Sequence, residues 1–333
     1  MELTIYTDCP TEVYFQPLRY LEEQKKLKLD VIDSRFLYLS YLKIKGRKHE
    51  YIKSNLLRSI FSPVTLLFKK KIMLGFAPYS SAVYYLLLLK LLKKDLFFYT
   101  SWPHWGEKRG RHNFILNRLA WKLFLNNIKK VGVNKETTKN LDNVNVISHS
   151  VDTNIFKPAK KGKEINILYV GRLEEEKGVL DILHLSSEFK EVNFNIVGDG
   201  KLRKEVEKSK VNYLGNVWDR KKLAEIFNKN DIYILNSYNT DKWEEVFGLS
   251  ALEAMSSGLA VIATDCVGPK EIIGDNVDGL LIQQRNLNEL REKLRLLIED
   301  KKLRNKLGKN ARKKVIENYD IRKVSEKWEE FLR

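Results

Sequence analysis

Short apolar segments alternate with amphipathic segments along the first half of the chain. The apolar segments have the length of strands, and the segments between them place leucines and aromatic residues at helical spacing. This alternation predicts a mostly parallel, doubly wound α/β sheet. The predicted strands are 3–7, 28–33, 71–76, 95–100, 129–134 and 144–150, and the predicted helices are Leu18–Lys28, Ser80–Lys94 and Arg111–Asn126.

The same alternation restarts after 148–164, a polar and basic segment with one proline that predicts a linker. A length of 333 residues suits two domains, so we expect similar α/β domains at 1–150 and 151–317. A final helix within 318–333, with Trp328 and Phe331 on one face, is expected to pack back on the first domain. The second domain's predicted strands are 165–171, 194–200, 211–217, 231–237, 260–265 and 279–283, and its helices are Gly178–Phe189, Arg203–Lys208, Arg220–Asn228, Ser250–Ser257 and Leu287–Asn318.

The positive charge lies almost entirely in the first half. The net charge is +17, of which residues 1–150 carry +14 and residues 151–333 carry +3. Basic clusters at 43–53, 69–71, 92–95 and 107–112 lie among leucines and aromatic residues. Such a face can bind an anionic membrane surface or acceptor or a nucleic acid, and the alternative is an ordinary solvated surface. No recognition helix, zinc module or aromatic RNA-binding motif favours nucleic acid.

Composition and cysteine usage exclude several classes of protein. Hydrophobic residues make up 43% and charged residues 31%, which indicates a globular and not a disordered chain. Cys9 and Cys266 lie too far apart to suggest a disulfide framework or a metal site, which favours a reducing compartment. The run Val83–Leu92 contains Lys90 and is too short to span a membrane. The N-terminal residues lack a signal-peptide pattern, so we expect a cytoplasmic protein.

The segment EEVFGLSALEAM places two carboxylates around a predicted helix start. Gly248 allows the backbone to approach a ligand closely, and Ser250 is the predicted N-cap. The amide groups of a helix N-terminus bind phosphate. Glu245 before the helix and Glu253 about one turn inside it can accept hydrogen bonds from sugar or ribose hydroxyls. The alternative for Glu253 is a solvated helix face.

Two cations follow the first strand of the second domain. Gly171 makes the turn, and Arg172 and Lys177 lie about one helical turn apart. Ligands of open α/β sheets bind at the carboxyl ends of strands, where these cations can neutralise a diphosphate. The alternative for Lys177 is surface ion pairing with the glutamates at 174–176. The GDG at 198–200 lacks the third glycine of a dinucleotide-binding loop and predicts an ordinary turn.

Several motifs, in order, resemble glycosyltransferase family 4 of GT-B architecture. They are HSVDTNIFKP, GRLEEEKG, the Glu-x₇-Glu of EVFGLSALE with the following EAMSSGLAVIATDCVGPKEII, and DGLLI. The resemblance covers residues 129–320 well and the first 128 in general layout. It implies two Rossmann-like domains facing a central cleft, with a nucleotide sugar held mainly by the second. It also implies sugar transfer with retention, no cofactor and no required metal, and the chain has no DxD-type metal motif.

The resemblance also implies roles for individual residues. It assigns Arg172 and Lys177 to the diphosphate, Glu253 to the ribose and Glu245 to the donor sugar. It places Asn216 and Val217 near the base. The remaining donor-binding groups are Gly171 and the backbone amides of Phe247, Gly248 and Leu249.

The first domain departs from the family pattern at two places. TDCPTEV at 7–13 stands where members often carry a glycine-rich loop. The candidate catalytic histidine, His104, is offset from the usual position, where Trp102 falls. A packed or surface histidine is the alternative for His104.

These observations lead to one main hypothesis of function and three alternatives. The main hypothesis is a retaining, metal-independent hexosyltransferase at the inner face of the membrane, acting on a glycan or lipid-linked acceptor in cell-surface polysaccharide or glycolipid synthesis. The first two alternatives are a sugar-nucleotide epimerase of the same architecture and a basic nucleic-acid-binding protein. The third is a glycosidase with Glu245 and Glu253 as its carboxylates, which leaves Arg172 and Lys177 unexplained.

Overall fold

The computed structural model describes residues 1–7, 14–33, 61–76, 78–103, 105, 115–160, 162–241 and 243–333. The chain divides into two compact units, Met1–His149 with Ser325–Arg333, and Ser150–Val324. Each unit contains a six-stranded sheet in which all the strand pairings are parallel. The predicted α/β class is therefore confirmed.

The first unit orders its strands β2-β1-β3-β4-β5-β6. The chain turns back once, because β2 lies on one side of β1 and the later strands lie on the other. Its strands are β1 Glu2–Thr7, β2 Lys28–Asp33, β3 Lys71–Gly75, β4 Asp95–Thr100, β5 Lys129–Gly132 and β6 Val144–Val146, and its described helices are α1 Gln16–Glu23, α2 Ser62–Leu67, α3 Val83–Leu91 and α4 Ile115–Leu125.

Aromatic residues fill much of the first unit's core. Phe97 and Phe98 on the central strand β4 are fully buried. The Phe98 ring meets Trp121 of α4 at 5.5 Å and Phe124 at 6.1 Å between centroids. Burying one such side chain contributes about 2–3 kcal/mol, so this contact fixes α4 against the sheet.

The end of the last helix, α12 (Ile321–Leu332), belongs to the first unit. Trp328 lies 6.3 Å from the Phe15 ring, and Phe331 lies 5.4 Å from the Phe97 ring. Ser325 donates a hydrogen bond of 3.0 Å to the Pro17 carbonyl. The chain thus returns from the second unit to complete the core of the first.

The second unit orders its strands β12-β11-β10-β7-β8-β9. The chain runs outward from β7 to β8 and β9, then crosses back to place β10 on the other side of β7. Its strands are β7 Asn166–Val170, β8 Asn193–Val197, β9 Asn212–Tyr213, β10 Ile232–Leu235, β11 Ala260–Thr264 and β12 Leu280–Ile282, and its helices are α5 Val179–Glu188, α6 Arg203–Lys208, α7 Arg220–Asn228, α8 Leu249–Ser256, α9 Val267–Ile272, α10 Leu287–Glu299 and α11 Lys301–Asn318.

This strand order creates a topological switch point between β7 and β10. At a switch point the connections leave neighbouring strands in opposite directions, and a crevice opens at their carboxyl ends. The loop after β7 begins at Gly171, and the loop after β10 begins at Asn236. These two loops carry most of the residues that the sequence predicts to bind a ligand.

The prediction of a linker over 148–164 is wrong for its first part. Val151 and Phe156 are buried, and Val151 forms a parallel bridge with Asp320. Arg312 donates hydrogen bonds of 2.7 Å to the Phe156 carbonyl and 2.9 Å to the Thr153 carbonyl. A side chain from near the other end of the second unit thus satisfies backbone groups of this polar segment.

Three other predictions of elements need correction. The predicted helix Leu287–Asn318 is two helices, because Asp300 ends α10 and its carboxylate accepts the Leu303 amide at 2.9 Å to cap α11. The predicted strand 211–217 is reduced to Asn212–Tyr213. Helices α2 and α9, of six residues each, have no counterpart in the sequence prediction.

Within the described part of the chain, every helix is too short or too polar to cross a membrane.

Candidate functional site

The GDG loop supports the tip of β7. A Cβ atom on Gly198 would lie 1.8 Å from the Gly171 carbonyl oxygen, and one on Gly200 would lie 2.5 Å from the Leu173 carbonyl oxygen. Gly198 also has a φ of +149°. These glycines therefore allow two backbone loops to touch, and together they hold Gly171 and Arg172 in place at the end of the strand.

Lys177 and Glu245 meet at the switch point. The Lys177 Nζ lies 2.5 Å from a Glu245 carboxylate oxygen, and each side chain is 13% exposed. Ser237, just beyond β10, donates a 3.2 Å hydrogen bond to the same oxygen. Lys177 thus pairs with a carboxylate from a different loop, and its predicted alternative of pairing with its sequence neighbours is wrong.

Gly178 turns the chain directly after Lys177. It has a φ of +66°, and a Cβ atom there would lie 2.1 Å from the Asn236 carbonyl oxygen. A glycine is required at this position both by its left-handed conformation and by the close approach of the β10 loop. The short 3₁₀ turn Glu175–Lys177 therefore ends at the place where the Lys177 ammonium reaches Glu245.

Arg172 remains accessible beside this pair. Its guanidinium is half exposed and forms an i,i+4 ion pair of 3.1 Å with Glu176, a kind of pair that contributes little stability. The Trp243 ring lies 5.6 Å from the Arg172 guanidinium and 4.3 Å from the Lys177 Nζ. The sequence pointed to the segment 238–243 before Glu245 without giving it a role, and the contact of Trp243 with both cations depends on the fold of this loop.

Helix α8 points its N-terminus toward the end of β10. Gly248 is its N-cap, with a φ of +83°, and the Gly248 carbonyl accepts the Leu252 amide at 3.1 Å. The prediction of Ser250 as the N-cap is wrong, because its hydroxyl lies in the first turn and takes a 2.6 Å hydrogen bond from Tyr233. The first amides of a helix have no intrahelical acceptor, so the turn that begins at Leu249 presents amides of the kind that hold anions.

Glycine also brings the α9 segment onto this turn. A Cβ atom on Gly268 would lie 2.2 Å from the Phe247 amide nitrogen, and the Gly268 amide donates to the Glu245 carbonyl at 2.9 Å. Phe247 is buried, with 6% of its surface exposed. The backbone on both sides of Gly248 is therefore held rigidly between β10 and α9.

Glu253 is a buried carboxylate. It is 3% exposed and forms an ion pair of 2.7 Å with Arg220 of α7, so the alternative of a solvated helix face is wrong. Burial raises the pKa of Glu253, and Arg220 opposes that rise. The Arg220 guanidinium lies 4.7 Å from the Phe156 ring. Arg220 was not predicted from the sequence, because Arg220 precedes Glu253 by 33 positions and shares no motif with it.

The other predicted donor-binding residues lie in the loop between β9 and α7. Asn216 is exposed, and Val217 is half-buried against the core cluster that includes Phe247. His104, the predicted catalytic histidine of the first domain, lies outside the described residues. Among the residues that are described, no group of three or more His, Cys, Asp or Glu is placed to hold a metal ion.

Residues 150–314, nearly the whole second unit, match the family model described as glycosyl transferases group 1. This region belongs to the glycosyl transferases group 1. Every predicted site residue except His104 lies within it.

Named enzymes are among the relatives of this chain. It is 31% identical over 208 residues to the N,N'-diacetylbacillosaminyl-diphospho-undecaprenol alpha-1,3-N-acetylgalactosaminyltransferase of Campylobacter jejuni, covering 60% of this chain and 52% of that one. It is 33% identical over 180 residues to a second Campylobacter jejuni enzyme, an alpha-1,4-N-acetyl-D-galactosaminyltransferase acting on a PP-undecaprenol glycan, covering 50% and 47%. The chain spans about half the length of these curated relatives.

Solved structures resemble the full length of this chain. Anabaena HepE in complex with UDP aligns with a TM-score of 0.72 and 15% identity over 100% of this chain and 99% of that one. Sucrose-phosphate synthase from Thermosynechococcus elongatus aligns with a TM-score of 0.76 and 15% identity over 99% and 98%. These likenesses confirm the predicted GT-B fold, including the first unit.

Proposed function

We propose that the protein is a retaining glycosyltransferase that moves a sugar from a nucleotide-diphosphate-sugar donor to a glycan or lipid-linked acceptor. The observation that carries the proposal is the Lys177–Glu245 pair at the switch point beside the N-terminus of α8. A cation, a carboxylate and free helix amides together match a phosphate that is linked to a polyhydroxyl group. HepE, which was solved in complex with UDP and with UDP-glucose, supports a donor of this class.

In this proposal each part of the donor meets its own group. Arg172, Lys177 and the first turn of α8 receive the diphosphate. Glu245 accepts hydrogen bonds from the donor sugar, and Glu253 accepts them from the ribose through the carboxylate oxygen that Arg220 leaves available. Asn216 and Val217 are assigned to the base. The backbone amides of Phe247, Gly248 and Leu249 are assigned to phosphate or sugar, and Gly171 lines the site.

The chemistry follows from the movement of charge. As the bond between sugar and phosphate breaks, negative charge grows on the diphosphate and positive charge grows on the anomeric carbon. Arg172, Lys177 and the α8 N-terminus stabilise the leaving group. The leaving phosphate takes the proton of an acceptor hydroxyl that attacks on the same face, so the configuration is retained. These cations replace a metal ion in neutralising the leaving group, and His104 of the first domain is assigned to the donor sugar.

We also propose that the acceptor is membrane-borne and that the protein works at the inner face of the membrane, in the synthesis of a cell-surface polysaccharide or glycolipid. The two Campylobacter jejuni relatives have undecaprenol-linked acceptors in their names. The excess of +14 in residues 1–150 favours an anionic partner for the first unit.

A thermal-shift screen tests the donor site. The ligands are UDP, GDP, ADP and their common sugar conjugates, with wild type and Arg172→Ala. One nucleotide family should raise the melting temperature of the wild type by mass action, and Arg172→Ala should lose most of that shift. Lys201→Ala is the matched control, because Lys201 is 86% exposed and pairs with Glu174 away from Glu245. No shift with any nucleotide would refute the donor site.

A product analysis then tests the reaction class. The donor that gives the largest thermal shift is incubated with and without a lipid-linked or glycan acceptor. Sugar transfer that requires the acceptor supports the transferase. Conversion of the nucleotide sugar to its epimer without any acceptor would instead identify an epimerase.

A further inference from the structure

Three helices of the first unit expose large apolar side chains in stripes. On α3 the stripe includes Leu88 and Leu91, and on α4 it includes Ile115, Leu119 and Leu123, at helical spacing. Leu91 is 79% exposed and Ile115 is 75% exposed. Monomeric soluble proteins rarely expose a contiguous apolar surface of this kind unless it binds a partner.

The helices that carry these stripes are direct neighbours. The Tyr84 hydroxyl of α3 donates to the Asn117 side chain of α4 at 2.8 Å, and Lys90 of α3 donates to the Leu123 carbonyl at 2.6 Å. Lys94 just beyond α3 donates to the Leu67 carbonyl of α2 at 2.5 Å. The stripes are therefore parts of one surface, named here the outer apolar surface.

Helix α2 extends the outer apolar surface. Phe61, Val64 and Phe68 lie at i, i+3 and i+7, and they are 57%, 54% and 82% exposed. The opposite faces of α3 and α4 hold buried residues such as Leu89 and Trp121 against the sheet. Each helix is thus apolar on two sides, and the first unit's own core accounts for one of them.

The sequence segment that contains the three helices is strongly basic. Residues 51–135 contain sixteen Lys and Arg but two acidic residues, Asp95 and Glu107. Lys70, Lys93 and Lys122 are exposed on or beside the three helices. Exposed apolar side chains with these lysines on the same helices or at their ends match the boundary of a bilayer, where acyl chains lie beneath anionic headgroups. A second copy of the same surface would bring like charges together.

We propose that the outer apolar surface docks on an anionic lipid bilayer. The apolar stripes enter the boundary between headgroups and acyl chains, and the lysines meet the lipid phosphates. This inference deepens the proposed function, since it names the surface that brings the enzyme to a membrane-borne acceptor. It can be tested without any transfer reaction, because lipid binding and nucleotide binding have separate readouts.

Vesicle sedimentation of the full chain tests the proposal. The probes are vesicles of phosphatidylglycerol with phosphatidylcholine, and vesicles of phosphatidylcholine alone. The wild type should bind the first kind more tightly, and Leu91→Glu with Leu123→Glu should weaken binding at least about tenfold. The matched control is Leu180→Glu with Leu296→Glu, two exposed leucines on helices of the second unit, which should bind like the wild type.

A second variant tests the electrostatic part. Lys93→Glu with Lys122→Glu should remove the preference for phosphatidylglycerol, since lysines near an anionic surface attract its headgroups. All variants should keep the nucleotide-induced thermal shift of the wild type, which shows that they fold. The proposal is overturned if the wild type does not bind phosphatidylglycerol vesicles or if the leucine variant binds them equally well. Loss of a concentration-dependent dimer in the leucine variant would also overturn it, in favour of a contact between copies.

Discussion

Lys177 and Glu245, 68 positions apart in sequence, form an ion pair of 2.5 Å where β7 and β10 diverge. The sequence assigned them to different parts of one ligand, the diphosphate and the sugar. In the structure the carboxylate already neutralises the ammonium. A bound donor must therefore share Lys177 with Glu245, and the carboxylate opposes the binding of any anion at this place.

Replacing Glu245 with glutamine should separate binding from transfer. Glu245→Gln removes a negative charge beside the diphosphate site, so the nucleoside diphosphate should bind at least about threefold more tightly. Transfer should fall at least about 100-fold, because the donor sugar loses its charged partner. Calorimetric titration with the nucleotide and an assay of transfer measure the two effects.

Glu244→Gln is the matched control for this experiment. Glu244 is the adjacent carboxylate, and it accepts a hydrogen bond from Asn239. The Glu244→Gln variant should change nucleotide affinity less than Glu245→Gln does, and its transfer rate should remain near that of the wild type. Weaker nucleotide binding in Glu245→Gln would contradict the geometry of the shared ammonium.

The position of Lys177 should depend on Gly178. Gly178→Ala forces a Cβ atom to within 2.1 Å of the Asn236 carbonyl oxygen, in a left-handed conformation with φ of +66°. The left-handed backbone alone costs about 1–2 kcal/mol, and the clash adds to it. We expect a loss of at least about 3 kcal/mol in unfolding free energy, with nucleotide affinity reduced, measured by urea denaturation and titration.

Gly215→Ala isolates the contribution of the clash. Gly215 has a similar φ of +70°, and nothing lies within 4 Å of its Cβ position. It should lose about 1–2 kcal/mol for the backbone strain alone. Equal losses in the two variants would show that the β10 loop moves aside, and that its close approach does not position Lys177.

The local pattern of the second unit could be predicted, but the contacts within its site could not. An apolar run ending in glycine marked β7, because that signal is local, and the N-cap of α8 was predicted at Ser250, two residues after the actual N-cap, Gly248. The Lys177–Glu245 contact depends on β10 lying beside β7, which is a property of strand order. Periodicity predicts that strands exist and does not determine which of them are neighbours.

Other misses have the same physical origin. The Arg220–Glu253 pair joins two helices that contact each other through the tertiary fold. The polar segment after His149 was predicted as a linker because the partners of its backbone groups, such as Arg312, come from near the other end of the unit. Local composition records the polarity of a segment but not the distant groups that satisfy it.

Removing Arg220 should leave a buried carboxylate unpaired. Breaking a fully buried pair costs about 3–5 kcal/mol, but the Arg220 side chain is 37% exposed, so solvent screening reduces the cost of Arg220→Met to roughly 1–3 kcal/mol. The pKa of Glu253, already raised by burial, should rise further. Above pH 4.5, the ordinary pKa of a glutamate, the folded state then binds more protons than the unfolded state. The free energy of unfolding therefore falls as the pH rises from 4.5 towards the raised pKa of Glu253.

Unfolding free energies from pH 4.5 to 7 measure this effect. The deficit of Arg220→Met relative to the wild type should grow with rising pH and shrink towards pH 4.5. Arg203→Met is the matched control, because Arg203 forms an exposed i,i+4 pair with Glu207 on α6, and it should cost less than about 1 kcal/mol at any of these pH values. A deficit that does not vary with pH would mean that Glu253 does not need its cation.

His149 should make the stability of the first unit depend on pH. Its ring is buried 4.9 Å from the Tyr14 ring, and burial lowers its pKa from 6.5 to about 4. The unfolded chain therefore binds a proton below pH 6.5 that the folded chain refuses, so stability present at pH 7 is lost as the pH falls from 6.5 to 4. The loss from this group should be about 3 kcal/mol.

His149→Asn does not titrate and should show a smaller fall in melting temperature over this range, whereas His184→Asn, at a half-exposed position on α5, should follow the wild type. An unchanged pH profile in His149→Asn would show that the folded state accommodates the protonated imidazole.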